Sequence, residues 1–170
     1  MSNSVMSQSK RKENEFYDLE RQKIGRVTVR LVQFGCVVHC IDRYVGSFVM
    51  CCGDSMVPTL FNNDIVLAEN ISVAYKKLQK GDIVIARSPA DPYQFICKRL
   101  VAMEGDSVID DNSERQYVPK GHVWLEGDNH RNSNDSRHYG PVPAGLLNRR
   151  VFFRVWPFSY MGYLKHPAER

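Results

Sequence analysis

From residue 60 onward the chain is a succession of short apolar runs broken at intervals by glycine-containing turns. Asp64–Glu69, Asp82–Arg87, Phe95–Met103, His122–Glu126 and Arg150–Trp156 are each rich in Val, Ile or other strand-favouring residues. Branched and aromatic side chains of this kind fit a pleated, half-buried surface better than a helix. Between them stand Gly81-Asp82, Gly105-Asp106, Gly127-Asp128 and Gly140-Pro141, which punctuate the chain as turns. Beyond residue 60 only 70–79 has a helical period, enough for two turns. This spacing predicts a mainly β, antiparallel, partly barrel-like domain over residues 51–160, followed by a C-terminal tail over 161–170.

The 170 residues, 43% apolar and 25% charged, are enough for one domain with a sizeable core. The net charge is +4. Residues 1–30 hold seven Lys/Arg against four Asp/Glu, so the remainder is nearly neutral and no nucleic-acid partner is expected. The five cysteines, Cys36, Cys40, Cys51, Cys52 and Cys97, are odd in number and contain no pair of CxxC elements for zinc. Free, mostly buried thiols are expected.

Residues 1–30 read as a polar, flexible N-terminal tail, with 1–23 either disordered or a frayed helix. Its polar start is unlike a secretory signal, and Glu13, Glu15, Asp18 and Glu20 are unlike a mitochondrial presequence. Residues 31–52 are the most apolar stretch of their length, and 31–50 form a candidate membrane anchor helix. Asp42 and Arg43 fall in the middle of it, where each charge costs roughly 2.5–3.5 kcal/mol in lipid. The segment therefore spans with these charges paired or facing a partner, lies in the interface, or is a buried soluble helix. If it spans, Arg21, Lys23, Arg26 and Arg30 put the N-terminus on the positive side and Ser55 on the other.

Three stretches carry candidate chemistry. In Cys52-Gly53-Asp54-Ser55-Met56-Val57-Pro58-Thr59-Leu60, Ser55 stands on a Gly-Asp turn just before a proline. Glycine permits a left-handed turn and proline blocks a helix, so Ser55 is held on stiff, bent backbone. That suits a nucleophile and equally suits an ordinary surface turn. In the strand Phe95–Met103, Lys98 shares a face with Ile96, Leu100 and Ala102, while Arg99 points to the other. A lysine at its ordinary pKa is neutral only about once in 2,500 at pH 7, so a general-base lysine needs such aliphatic company. An edge-strand lysine reaching into water fits the same pattern. The third stretch, Gly127–Gly140, is dense in polar groups: Asp135 and Arg137 are spaced for an ion pair, and Ser133 is able to hold an amine. His39, His122, His130 and His138 lack metal-ligand spacing and read as loop or packing residues.

Ser55-Met56-x-Pro58-Thr59-Leu60, the Lys98-Arg99 strand ending at Gly105-Asp106, and Gly127-Asp128-Asn129-x-x-Asn132-Ser133-x-Asp135-Ser136-Arg137-x-x-Gly140 occur in this order. Together they resemble the type I signal peptidase family over about residues 45–157. Tyr44-Val45-Gly46 and His122–Asn129 look most like its mitochondrial inner-membrane branch. The endoplasmic-reticulum branch carries His in place of the lysine. The resemblance implies a signal-peptidase-like β fold and a Ser/Lys peptidase. Ser55 would be the nucleophile, Lys98 the general base and Ser133 the residue that orients Lys98. The Ser55 amide would be one oxyanion donor. Bacterial relatives often place a serine two residues before the nucleophile as a second donor; here that residue is Gly53. Gly127, Met56, Asp135 and Arg137 would shape and brace the site. The resemblance implies no metal or cofactor. It also implies attachment to the inner membrane, an active site facing the intermembrane space, a second related catalytic subunit as partner, and precursor proteins as substrates. Asp42 and Arg43 would suit that subunit contact.

Three other readings compete. A non-catalytic membrane-tethered β subunit would tolerate loss of Ser55 or Lys98, and this chain has both. A self-cleaving repressor would need a helix-turn-helix ahead of the serine, and residues 1–50 are too short and apolar for one. A bacterial leader peptidase would share the chemistry but not the compartment.

Overall fold

The computed structural model describes residues 2–41, 46–109 and 114–164. The chain divides into two units, 1–42 and 43–170. The first unit is the helix α1, Ser2–Cys40. Residues 2–30, expected as a flexible tail that over 1–23 is either disordered or a frayed helix, are helical. The apolar run expected as one helix over 31–50 is divided. Its first part completes α1, while Gly46–Met50 forms strand β1. Phe48, Val49 and Met50 alternate between faces and gain a hydrogen-bonded neighbour in β2 (Ile65–Glu69), pairing that a helix would forfeit. Among the described residues no helix is long and apolar enough to cross a membrane. The apolar part left to α1 begins only after Arg30 and stops at Cys40, well short of the ~20 residues a span needs. Asp42 and Arg43 lie outside the described residues.

The second unit is an antiparallel sheet, curled into a half-barrel. Its further strands are β3 (Ile83–Arg87), β4 (Phe95–Ala102), β7 (His122–Glu126), β8 (Val142–Pro143), β9 (Leu147–Trp156) and β10 (Gly162–Tyr163). The order is β1-β2-β9-β3-β4-β7-β8, with β10 added along β9. A separate hairpin pairs β5 (Ser107–Ile109) with β6 (Arg115–Tyr117). The short helices α2 (Ile71–Ala74) and α3 (Ser136–Tyr139) are insertions between strands. Register shifts in β2–β9, β3–β9 and β4–β7 bend the sheet. Gly162–Tyr163 and Leu164, expected in the tail, are part of the fold.

Strand β3 explains where the core sits. Its side chains alternate, so Ile83 and Ile85 join Met56, Leu60, Val66, Ala68 and Val151 on one face. Val84 and Ala86 join Leu100, Leu125, Val142 and Leu147 on the other. A strand covered on both sides reads as an unbroken apolar run, as Ile-Val-Ile-Ala does here. Beside it β4 lies between β3 and β7, in the interior of the sheet. The edge-strand alternative for Lys98 is thereby removed.

The thiols differ from expectation. All five cysteines are free, but Cys36, Cys40 and Cys52 are exposed and Cys51 and Cys97 only half-buried. Cys36 and Cys40 belong to α1, whose side chains from residue 21 onward are exposed, and Cys52 sits on an open turn.

Candidate active site

The sheet brings the serine turn to the strand that carries the lysine. Ser55, Gly53 and Met56 line a cavity of about 370 Å³ together with Lys98. Gln94, Phe95, Ile96, Cys51, Cys97, Asn134 and Tyr139 also line it. The turn that holds Ser55 is fixed mainly through its backbone. Gly53 has φ +93°, a conformation that side-chain-bearing residues rarely adopt. Its N–H donates to Asn62 Oδ1 at 3.0 Å, and Val57 N–H donates to the Asp54 carbonyl at 3.3 Å. The Ser55 carbonyl accepts from Asn129 N–H at 2.9 Å, and the Asp54 carbonyl accepts from Asn129 Nδ2 at 3.0 Å. Met56 and Leu60 are buried in the core beneath, which anchors the turn from below.

Lys98 is 4% exposed. Its Nζ donates to Ser133 Oγ at 2.9 Å, and Ser133 Oγ donates to Asp135 Oδ2 at 2.6 Å. Asp135 is wholly buried. It also accepts from Gly127 N–H at 2.8 Å and from Arg137 Nε and Nη2 at 2.9 and 2.7 Å. Because the Ser133 proton is committed to Asp135, its lone pairs face Lys98. Burial lowers the Lys98 pKa, the Asp135 charge raises it, and the Arg137 charge lowers it again. The net direction is downward, toward the neutral amine. Burial pushes the Asp135 carboxyl up, yet the hydrogen bonds from Arg137, Gly127 and Ser133 hold it at about 2. Burial and Asp135 push the Tyr139 hydroxyl up to about 12.

Gly127 is where the two halves touch. A Cβ there would fall 2.6 Å from the Ser133 Cβ and 2.6 Å from the Ser55 carbonyl oxygen. Only glycine lets the Ser133 and Ser55 segments approach this closely.

Every site residue expected from the sequence is accounted for. Ser55, Lys98, Gly53 and Met56 share the cavity, Ser133 touches Lys98, and Asp135 and Arg137 stand behind Ser133. The sequence reading missed Asn129, whose side chain and amide pin the serine turn. It also missed the buried Arg99, expected only on the other face of β4. Arg99 forms a paired contact with Asp128 at 2.7 and 2.5 Å, and donates to the Gly81 carbonyl at 2.7 Å and Thr59 Oγ1 at 3.2 Å. The adjacent Lys98-Arg99 and Asp128-Asn129 pairs were the available signal.

The residues match the family described as signal peptidase, peptidase S26, over 24–114 and 109–156. The chain is 52% identical over 148 residues to mitochondrial inner membrane protease subunit 1 of Mus musculus, covering 84% of this chain and 89% of that protein. It is 40% identical over 127 residues to subunit 2 of the same organism, covering 71% and 69%. A crystal structure of a signal peptidase I from Enterococcus faecalis aligns with 42% of this chain and 94% of that one, at 24% identity and a TM-score of 0.36.

Proposed function

The chain belongs to the signal peptidase family, peptidase S26, and from that membership we propose that Ser55 is its nucleophile and Lys98 its general base. It is a serine endopeptidase that removes N-terminal sorting or signal peptides from precursor proteins at the mitochondrial inner membrane. The observation that carries the assignment of roles is the buried Lys98 amine, held by Ser133 in the wall of the cavity that Ser55 also lines.

Neutral Lys98 takes the proton from Ser55 Oγ as that oxygen attacks the scissile carbonyl. The amide of Ser55 faces the developing oxyanion; one such donor is typically worth about 10²–10³ in rate. Lys98, now protonated, passes its proton to the leaving amine, and water then releases the acyl group from Ser55. Asp135 never needs to take the proton. It orients Ser133, and Ser133 orients the amine. The precursor segment docks as an extended strand, with main-chain hydrogen bonds for affinity and the cavity receiving a side chain. The β unit faces the intermembrane space and works beside a second, related catalytic subunit. Subunits 1 and 2 both occurring among the relatives supports that pairing.

Two measurements test these roles. Ser55→Ala and Lys98→Ala are each expected to fold and to lose cleavage of a precursor peptide. The lysine change alone should remove about 10²–10⁴ in rate; wild-type turnover by purified Lys98→Ala would end the dyad. Because burial lowers the Lys98 pKa, the amine is neutral at lower pH than a surface lysine. kcat/KM should rise with pH along one limb as Lys98 loses its proton. A profile flat from about pH 5 to 9 would contradict the assignment.

A further inference from the structure

We propose that Cys51 and Cys97 form an oxidisable dithiol in the wall of the catalytic cavity, a modification site for a small-molecule disulfide, and that linking them closes the cavity to substrate. The proposal rests on the reading that this cavity receives the scissile peptide. The two cysteines belong to different elements that the fold holds side by side. Cys51 follows β1, with its N–H donating to the Asp64 carbonyl at 2.8 Å and its carbonyl accepting from Asn63 N–H at 2.9 Å. Cys97 lies in the interior strand β4, opposite Ile85 of β3. Both pack against the core cluster that contains Met56 and Leu60, and both line the cavity with Ser55 and Lys98. The two thiols act on each other's titration: Cys97 lowers the Cys51 pKa and Cys51 raises that of Cys97, so Cys51 is the first of the two to ionise. Only the thiolate attacks a disulfide, and Cys51 is therefore the attacking sulfur.

The chemistry balances in two exchanges. Cys51 Sγ attacks one sulfur of the small disulfide, whose S–S bond breaks, and one small thiolate leaves. Cys97 Sγ, losing its proton, then attacks Cys51 Sγ of the mixed disulfide and expels the second small thiolate. Two protein thiols are oxidised, one small disulfide is reduced, and the two protons finish on the released thiols. The link would fall next to both reacting groups. Cys51 precedes Ser55 by four residues and Cys97 is adjacent to Lys98. A covalent bridge there takes up cavity space and fixes the spacing of the two segments, to which a reaction between positioned groups is acutely sensitive.

The test treats the purified full-length protease with glutathione disulfide, then traps free thiols by alkylation and maps the products by mass spectrometry. The expected result is a Cys51–Cys97 cross-linked peptide and a loss of precursor cleavage of roughly ten-fold or more, restored by dithiothreitol. Cys52→Ser should behave likewise. Cys51→Ser, which lacks the attacking thiolate, should form no link and keep after treatment the rate it had before, whereas in Cys97→Ser the exchange should stop at a Cys51–glutathione adduct. A link that leaves cleavage unchanged, no Cys51–Cys97 link at all, or a treated Cys51→Ser that loses cleavage as the parent protein does would each overturn the proposal. Ser55→Ala is assayed alongside under reducing conditions. If it still cleaved, the peptidase reading would fail while the mapped link stood on its own.

Discussion

The serine side and the lysine side of the cavity are built in contrasting ways. Ser55 sits on irregular backbone next to exposed residues 52–54, and it is placed by main-chain bonds and by Asn129. Lys98 sits on an interior strand, and behind it Ser133, Asp135 and Arg137 form a buried relay. The contrast follows from what each group must do. A hydroxyl is neutral at every working pH and needs only a position. An amine must also be kept uncharged, which requires burial, and burial near a carboxylate would defeat itself. Asp135 alone would draw a proton onto Lys98; desolvation, the largest influence, outweighs it and sets the direction, with a smaller contribution of the same sign from the Arg137 charge. Geometry thus governs one half of the cavity and charge the other.

The strongest way to break this comparison is at Asp135. Asp135→Ala would remove the acceptor shared by Arg137 Nε and Nη2, Gly127 N–H and Ser133 Oγ, and with it the counter-charge of a buried guanidinium, at a cost of ~3–5 kcal/mol, measurable by denaturant unfolding. Asp135→Asn keeps the shape and removes the charge that raises the Lys98 pKa, so the rising limb of the pH profile should move to lower pH. A limb that stays in place would mean that Asp135 acts by shape alone. The same carboxyl links folding to acid. Its folded pKa, about 2, lies below its ordinary 3.8, so its stabilisation is present in full above 3.8. It should fade as pH falls through about 2, and Asp135→Asn should lose that part of the acid sensitivity.

Gly127→Ala is expected to have the next largest effect, because its Cβ would press on the Ser133 side chain and the Ser55 carbonyl together. Displacing two reacting segments by a fraction of an ångström should reduce kcat by about 10²-fold. Stability, read by thermal unfolding, should fall less in proportion, since Gly127 lies at the meeting of the two halves rather than in either core cluster. Equal damage to kcat and stability would argue that the two halves are not independently held.

How far this site was legible in advance divides along the same line. Strands β2, β3, β4, β7 and most of β9 were readable because Val, Ile and Phe runs with Gly-Asp turns leave few alternatives, whereas the two- and three-residue strands β5, β6, β8 and β10 were not read, and Ser133 and Asp135 stood out in a polar loop. Strand β1 was not readable. Phe48-Val49-Met50 continues an apolar run that suits a helix equally well, and only the pairing with Ile65–Leu67, remote in sequence, decides for a strand. The role of Asn129 was hidden for a related reason. Its partners are two carbonyls 74 and 75 positions earlier, and backbone acceptors leave no residue-specific mark in a sequence.

Asn129 is also where the smallest change sharpens the contrast. Asn129→Ala removes the amide bond to the Asp54 carbonyl but leaves the main-chain bond from Asn129 N–H to the Ser55 carbonyl. Losing one exposed, neutral hydrogen bond should cost about 1 kcal/mol or less in stability. If the serine side is governed by geometry alone, kcat should fall several-fold as the turn loosens, while the pH limb set by Lys98 stays where it was. Asn129→Gln, which lengthens the side chain without changing its chemistry, should restore little, because the Asp54 carbonyl is held at a fixed 3.0 Å from the shorter amide. A shift of the pH limb in Asn129→Ala would show instead that the serine turn also helps to desolvate Lys98, and the division between a positioned half and an electrostatic half would have to be given up.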